Sequence, residues 1–325
     1  GCDMNDWNNT TSAAALQKKF SDLFFQPKNM TSEEKQQMMK TFVVSLHGEV
    51  SDLGSAINYK DHRLTEKPVN HEAILFKTVD AYRYLLAILN LWEISGEEFT
   101  RALTQKDDFL HYRHTLENNK WEGQDVVLFD MDDVLAEFRS AFCEFATIHT
   151  GIVIDPNTPE YYNTTAFREN NIDSEEVFRE FVRSRLFASL KPNKSFVDVF
   201  NDLKSKGFWM QILTARPADS LFCYYDTFDW LARHGIEADS VAFSAEKFRW
   251  LSDQEFYGKT NVFAIDDSAK HASEYAKHGI DVIVPSTSYN KEVRGRKNVL
   301  YIDDHADIVK TTKDYVDAIL SKKHS

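Results

Sequence analysis

From Gln124 onward the chain alternates short apolar runs with amphipathic helical stretches, and this alternation restricts its fold more than any other feature. Apolar runs joined by helices pair in parallel, and a parallel sheet needs helices over both of its faces. The sequence therefore predicts an α/β domain with a Rossmann-like parallel sheet. In open sheets of this kind, ligands bind outside the carboxyl ends of the strands. The residues just past each apolar run are the candidate functional residues.

Three runs end in chemically useful groups. The run 126–129 delivers Asp130-Met131-Asp132-Asp133. Side chains alternate along a strand, so Asp130 and Asp132 share a face. Two carboxylates there repel each other unless a cation or a shared proton lies between them. Such a pair suits Mg²⁺-assisted phosphoryl transfer, with one aspartate attacking phosphorus and the other handling the leaving group's proton. The run 209–213 ends in Thr214-Ala215-Arg216-Pro217. Thr214 can donate a hydrogen bond to a phosphoryl oxygen, and Arg216 can grip one in a fork. The run 261–265 ends in Asp266-Asp267-Ser268, an acidic pair suited to a hard divalent cation.

In this order, these three strand ends resemble the motifs of the haloacid dehalogenase superfamily of phosphohydrolases. The resemblance implies Asp130 as nucleophile, Asp132 as acid/base and Thr214 as the hydroxyl of the second motif. It implies a Mg²⁺ site drawn from Asp130, Asp132, Asp266 and Asp267, with the direct ligand of the last two left open. The motif lysine has two candidates, Lys247 and Lys259. Lys247 is favoured, because it opens a helix after the strand at 241–243, which is where the resemblance implies this residue. The insertion at about 136–206 is expected to form a helical cap. Asp133 departs from the family, which often has glycine there, and adds negative charge beside the site. The stretch 130–138 further resembles the start of the 5′-deoxyribonucleotidases, in which the closing phenylalanine packs on a nucleobase. Phe138 is thus either a base-stacking residue or a packing residue of the cap. The Thr214-Ala215-Arg216 and Ala264–Asp267 segments also look like the 3′-phosphatase domain of polynucleotide kinases. A (deoxy)nucleoside monophosphate is the expected substrate and a nucleic-acid 3′ end the alternative; both imply a nucleoside leaving group.

Residues 1–122 read differently, as an all-α helical-bundle domain ahead of a phosphatase domain at 123–325. Thr31-Ser32-Glu33-Glu34 is a capping box that opens a helix to about Tyr59. Further helices are expected at about 72–94 and from Ser95 to about Leu116, with a linker at 118–123. Glu49 and Asp52 share a helix face, and with Asp80 on the next helix they could build a second Mg²⁺ site. Together with Lys106 and Arg113, these segments resemble the all-α MazG and dimeric dUTPase pyrophosphohydrolases. That resemblance implies nucleotide binding and a homo-oligomer. Lys77 departs from it, standing where an acidic ligand should begin the second pair, and an ammonium cannot ligate Mg²⁺.

Net charge is −13 over 325 residues, which disfavours a long polyanion as partner. Cys2, Cys143 and Cys223 show no metal-ligand spacing, so free thiols in a reducing cytoplasm are expected. No run of eighteen apolar residues suggests a membrane span. Gly1-Cys2 could begin a lipidated mature chain; the favoured expectation is a natural start at Met4.

Overall fold

The computed structural model describes residues 10–57, 68–161 and 164–323, arranged as two compact units, Gly1–Thr104 and Gln105–Ser325. Cys2, Met4, Tyr59 and Tyr162 lie outside the described residues.

The first unit is helical: α1 (Thr10–Ser21), α2 (Ser32–Ser55), α3 (His71–Leu91) and the start of α4 (Gly96–Asn118). The capping box forms as the sequence implies. Thr31 Oγ1 accepts from Glu34 N at 3.1 Å, and Thr31 N donates to Glu34 Oε2 at 2.8 Å, so two end amides that helix geometry leaves free are satisfied. Asn70 and Ser95 accept from Ala73 N and Glu98 N to start α3 and α4. α3 packs against both α1 and α2. The compact units divide within α4, after Thr104, whereas the composition of the chain changes nearer the 118–123 segment. The second half of α4 belongs to the second unit because Phe109 packs on Tyr224, Tyr225 and Phe228.

The second unit holds six parallel strands: β1 (Val126–Phe129), β2 (Trp209–Thr214), β3 (Ser240–Phe243), β4 (Val262–Ile265), β5 (Asp281–Pro285) and β6 (Val299–Ile302). Their order is β3-β2-β1-β4-β5-β6. The switch in order falls beside β1, where a ligand crevice opens in sheets of this topology. Alternation along each strand splits the core into two layers. Val127, Phe129, Met210, Ile212, Phe263 and Ile265 face one side, with α8 (Lys194–Ser205) and α12 (Ile308–Lys323). Val126, Leu128, Leu213, Ala264 and Val282 face the other, with α10 (Lys247–Ser252) and α11 (Ala269–Lys277). α9 (Leu221–Arg233) follows β2 and buries Trp230 and Leu231 in the first layer.

The insertion after β1 forms α5 (Phe138–Thr150), α6 (Thr165–Glu169) and α7 (Ser174–Arg183), whose phenylalanines pack on one another. Its two connections lie side by side: Glu137 N donates to Lys191 O at 2.9 Å, and Asn193 N to Leu135 O at 2.7 Å. α8, expected inside the cap, lies beyond that hinge and packs on the sheet. Phe196, Val199, Phe200 and Leu203 form an apolar stripe at helical spacing, and the Phe200 ring meets Phe129 at 5.3 Å.

This assigns α8 to the core layer. Phe200→Ala should cost about 3–5 kcal/mol of stability, as for other buried phenylalanines. Urea unfolding of the variant checks this; a cost under about 1 kcal/mol, the size of a surface change, would place α8 outside the core.

Candidate active site

Parallel pairing brings the first and third motifs together. β1 and β4 are neighbours with Phe129 opposite Ile265, so Asp130 and Asp266 emerge side by side. Asp130 N still bonds Ile265 O at 3.0 Å, and Asp266 N bonds Ile283 O at 3.1 Å. The acids therefore begin where the ladder ends and inherit its rigidity.

Lys247, the first residue of α10, reaches between them. Its Nζ donates to Asp130 Oδ1 at 2.9 Å and to Asp266 Oδ2 at 2.7 Å. It is only 2% exposed, which an ammonium tolerates because two carboxylates accept its protons. Those carboxylates hold its pKa above the ordinary lysine value despite burial. Lys259 is exposed and has no such place. Asp130 Oδ1 also accepts from Met131 N at 2.8 Å, and Asp266 Oδ1 from Ser268 N at 2.9 Å.

Asp130, Asp266 and Asp267 each bring a carboxylate oxygen within 4.8 Å of the others, all three residues being buried. Burial, then repulsion from Asp266, raises the Asp130 pKa; burial, then repulsion from Asp130, raises that of Asp267. With all three ionised, three carboxylates against one ammonium would leave two negative charges uncompensated, and the raised pKa values of Asp130 and Asp267 express that repulsion. Oxygen donors in that charge balance fit a hard divalent cation such as Mg²⁺.

Asp132 does not join this cluster. Its carboxylate is gripped by Arg216, whose Nε lies 3.0 Å from Oδ2 and whose Nη2 lies 2.6 Å from Oδ1. Arg216 Nη1 donates to Thr227 Oγ1 at 3.0 Å. Arg216, expected to grip phosphate, is therefore buried with its fork spent on Asp132, and it positions that acid. The side chain of Asp132, expected among the metal ligands, is correspondingly directed at Arg216. Thr214, at the end of β2, accepts from Arg216 N at 3.2 Å, and its hydroxyl proton meets no acceptor among the described residues.

Phe138 is packed inside the cap. Its ring stacks with Phe142 and Phe187, each at 5.5 Å, and meets Phe181 edge-on. Of the two expectations for this residue, packing in the cap describes these contacts, and the residue is 5% exposed.

The helical set does not converge. Lys77 Nζ lies 3.4 Å from Glu49 and 3.2 Å from Asp52, and no cation cluster forms from Glu49, Asp52 and Asp80 among the described residues. The ammonium lies between the Glu49 and Asp52 carboxylates. Lys106 donates to Tyr225 Oη at 2.7 Å, and Arg113 pairs with Glu117 at 3.2 Å; both belong to the second unit.

Two groups at the site carry no motif in the sequence. Tyr289 donates its hydroxyl to Asp267 Oδ2, and Asn290 Nδ2 donates to Asp267 O at 2.9 Å. Both lie in the loop after β5. Asp133 explains itself by geometry. Its φ is +60°, the left-handed region where glycine is easiest and aspartate or asparagine tolerable. Its Oδ1 accepts from Arg139 N at 2.9 Å, while its buried Oδ2 has no partner among the described residues. Burial pushes its pKa up to about 7.

A protein-family model described as 5′ nucleotidase, deoxy (Pyrimidine), cytosolic type C protein matches residues 124–315. A search of curated proteins gives no match. Among solved structures, a predicted phosphatase from Clostridium acetobutylicum aligns at TM-score 0.43 and 15% identity, covering 59% of this chain and 99% of the other. A predicted phosphoglycolate phosphatase from Haemophilus somnus 129pt aligns at TM-score 0.44 and 14% identity, covering 59% and 100%. A HAD family hydrolase from Deinococcus radiodurans R1 aligns at TM-score 0.42 and 11% identity, covering 57% and 93%.

Asp133 gives a pH dependence. Below the ordinary value of 3.8 the group is protonated folded or unfolded and contributes nothing. As pH rises from there to about 7, the unfolded chain releases the proton while the folded protein keeps it, so stability falls across that window and then levels off. Asp133→Asn keeps the acceptor and tolerates the backbone angle but has no proton to lose. Its stability advantage over wild type should be larger at pH 8 than at pH 4.5, read from urea midpoints; an advantage that shrinks with rising pH would contradict this.

Proposed function

The chain belongs to the deoxy (pyrimidine) cytosolic type C 5′-nucleotidase family and is a phosphoric monoester hydrolase; from that premise we propose that it hydrolyses (deoxy)nucleoside monophosphates through a covalent phosphate on Asp130. The observation that carries the reading is Lys247 bridging Asp130 and Asp266 at a buried strand end. The lysine holds the nucleophile in one rotamer and offsets its charge as an anionic phosphate approaches.

In the proposed first step, an Asp130 oxygen forms a bond to phosphorus as the bond from phosphorus to the nucleoside oxygen breaks. Asp132, aimed by the Arg216 fork and carrying a proton taken up from water before the step, gives that proton to the departing oxygen. In the second step Asp132 takes a proton from water, the water oxygen attacks phosphorus, and Asp130 leaves as a carboxylate. Thr214 donates its free hydroxyl proton to a phosphoryl oxygen throughout. Asp130, Asp266 and Asp267 would hold Mg²⁺, which when bound supplies positive charge against the phosphoryl oxygens.

The acidic chain favours a small nucleotide over a nucleic-acid end. The family's description supports a cytoplasmic setting, and no described helix is long and apolar enough to cross a membrane.

For the helical unit we propose a non-catalytic role in nucleotide sensing or self-association. Lys77 neutralising Glu49 and Asp52 favours this over pyrophosphohydrolysis. Exposed apolar side chains on α3, among them Leu75, Phe76 and Leu85, support self-association.

Two measurements follow. Phosphate release from a panel of 5′- and 3′-mononucleotides should require Mg²⁺, stop with EDTA, and fall by at least about 10³-fold in a folded Asp130→Asn variant. Normal turnover by that variant would end the mechanism. Incubation with deoxynucleoside triphosphates and Mg²⁺ should release no pyrophosphate; release that is lost on Glu49→Gln would make the helical unit an enzyme.

A further inference from the structure

Tyr289 joins the carboxylate cluster to the segment that follows α5. On one side its hydroxyl donates to Oδ2 of Asp267, a member of the carboxylate cluster. On the other side its ring lies 4.8 Å from Tyr161, in the segment that follows α5. Arg139, in the first turn of α5, sits over both rings, 4.9 Å from Tyr289 and 5.7 Å from Tyr161. The same guanidinium donates to Pro156 O at 2.7 Å and Thr158 Oγ1 at 3.0 Å, and to the carbonyls of Glu160 and Tyr161. Ser288 Oγ adds a bond to Thr158 O at 2.6 Å. The 286–290 loop thus touches the catalytic carboxylates through one hydroxyl and the cap segment through a stack and a hydrogen bond.

The base of this loop is fixed independently. Asn290 is fully buried, donating to Asp267 O at 2.9 Å and to Pro285 O at 2.8 Å. It accepts from Thr287 N at 2.9 Å and Tyr301 Oη at 2.8 Å. Release of the Tyr289 hydroxyl would therefore leave the Asn290 end of the loop anchored while the residues before it move. Beside that tip lies a cavity of about 300 Å³ bordered by Asp133, Arg139, Asn157, Ser288, Tyr289 and His305.

We propose that Tyr289 is a latch between the carboxylate cluster and the cap: its hydroxyl takes an Asp267 oxygen that a divalent cation also needs, so cation loading releases Tyr289 and resets the 286–290 and 155–161 segments together. The inference rests on reading Asp130, Asp266 and Asp267 as a cation site. A buried carboxylate oxygen must have a partner, and a neutral phenol satisfies it without a metal. Loading then exchanges that hydrogen bond for a cation contact, so the latch weakens cation binding and ties it to the cap. Tyr289 is in this sense a positioning residue.

Mg²⁺ titration by calorimetry, without substrate, on wild type, Tyr289→Phe and Asp266→Asn tests this. Loss of one competing hydrogen bond should make Tyr289→Phe bind Mg²⁺ about two- to tenfold tighter than wild type. Amide hydrogen exchange is the second readout. In wild type, Mg²⁺ should change exchange across 286–290 and 155–161; in Tyr289→Phe those segments should already exchange at the loaded rate. Equal Mg²⁺ affinity in wild type and Tyr289→Phe would overturn the latch, as would wild-type exchange that Mg²⁺ leaves unchanged. Absence of Mg²⁺ binding, or binding that Asp266→Asn does not weaken, would instead overturn the cation-site reading beneath it.

Discussion

The site depends on one buried ammonium. Lys247 has its Nζ within 2.9 Å of Asp130 and 2.7 Å of Asp266, and it is the only cation directly bonded to the three-acid cluster among the described residues. Adjacent strands deliver the acids at one height, and α10 starts at the height needed to reach them. The lysine is tolerated inside because the carboxylates accept its protons; the carboxylates are tolerated because the lysine offsets part of their repulsion. That mutual dependence makes the strand ends a rigid, still electron-rich cradle. Its residual negative charge is what a divalent cation would complete.

A second ion pair divides the labour. Arg216 holds Asp132 in a two-point grip and keeps it out of the three-acid cluster. The two aspartates of the first motif, two residues apart, therefore have different surroundings. One faces an ammonium and two acids; the other faces a guanidinium that also lies 4.2 Å from the cap's Phe187 ring. Different surroundings for like groups are the usual basis for nucleophile and acid/base roles on one strand end.

Much of this could be read from the chain. The strand ends at Asp130, Thr214 and Asp266 stand out because apolar runs stop there and because a parallel sheet collects such ends on one rim. Lys247 is legible for the same reason, as the first residue of a helix after a strand. The capping box at Thr31 and Glu34 is local chemistry, and it formed as written. Contacts between distant segments were not legible. Tyr289 follows Asp267 by 22 positions, in a loop without a motif, and only the fold brings its hydroxyl back. Arg216 has a phosphate-gripping type and spacing; its partner became clear only when Asp132 proved the nearer anion. Phe138 could stack on a base or on other phenylalanines, and the rings it meets come from α5, α7 and the segment before α8. Lys77 announces itself as a departure in sequence, and its geometry explains why the acids beside it do not gather.

The central claim is that Asp130 takes the phosphoryl group. The direct measurement is acid quenching of the enzyme during turnover of a phosphate-labelled mononucleotide with Mg²⁺, followed by peptide mapping. Label is expected on the peptide containing Asp130, lost on treatment with hydroxylamine. Steady turnover with no label on the protein, or label on a different residue, would contradict it.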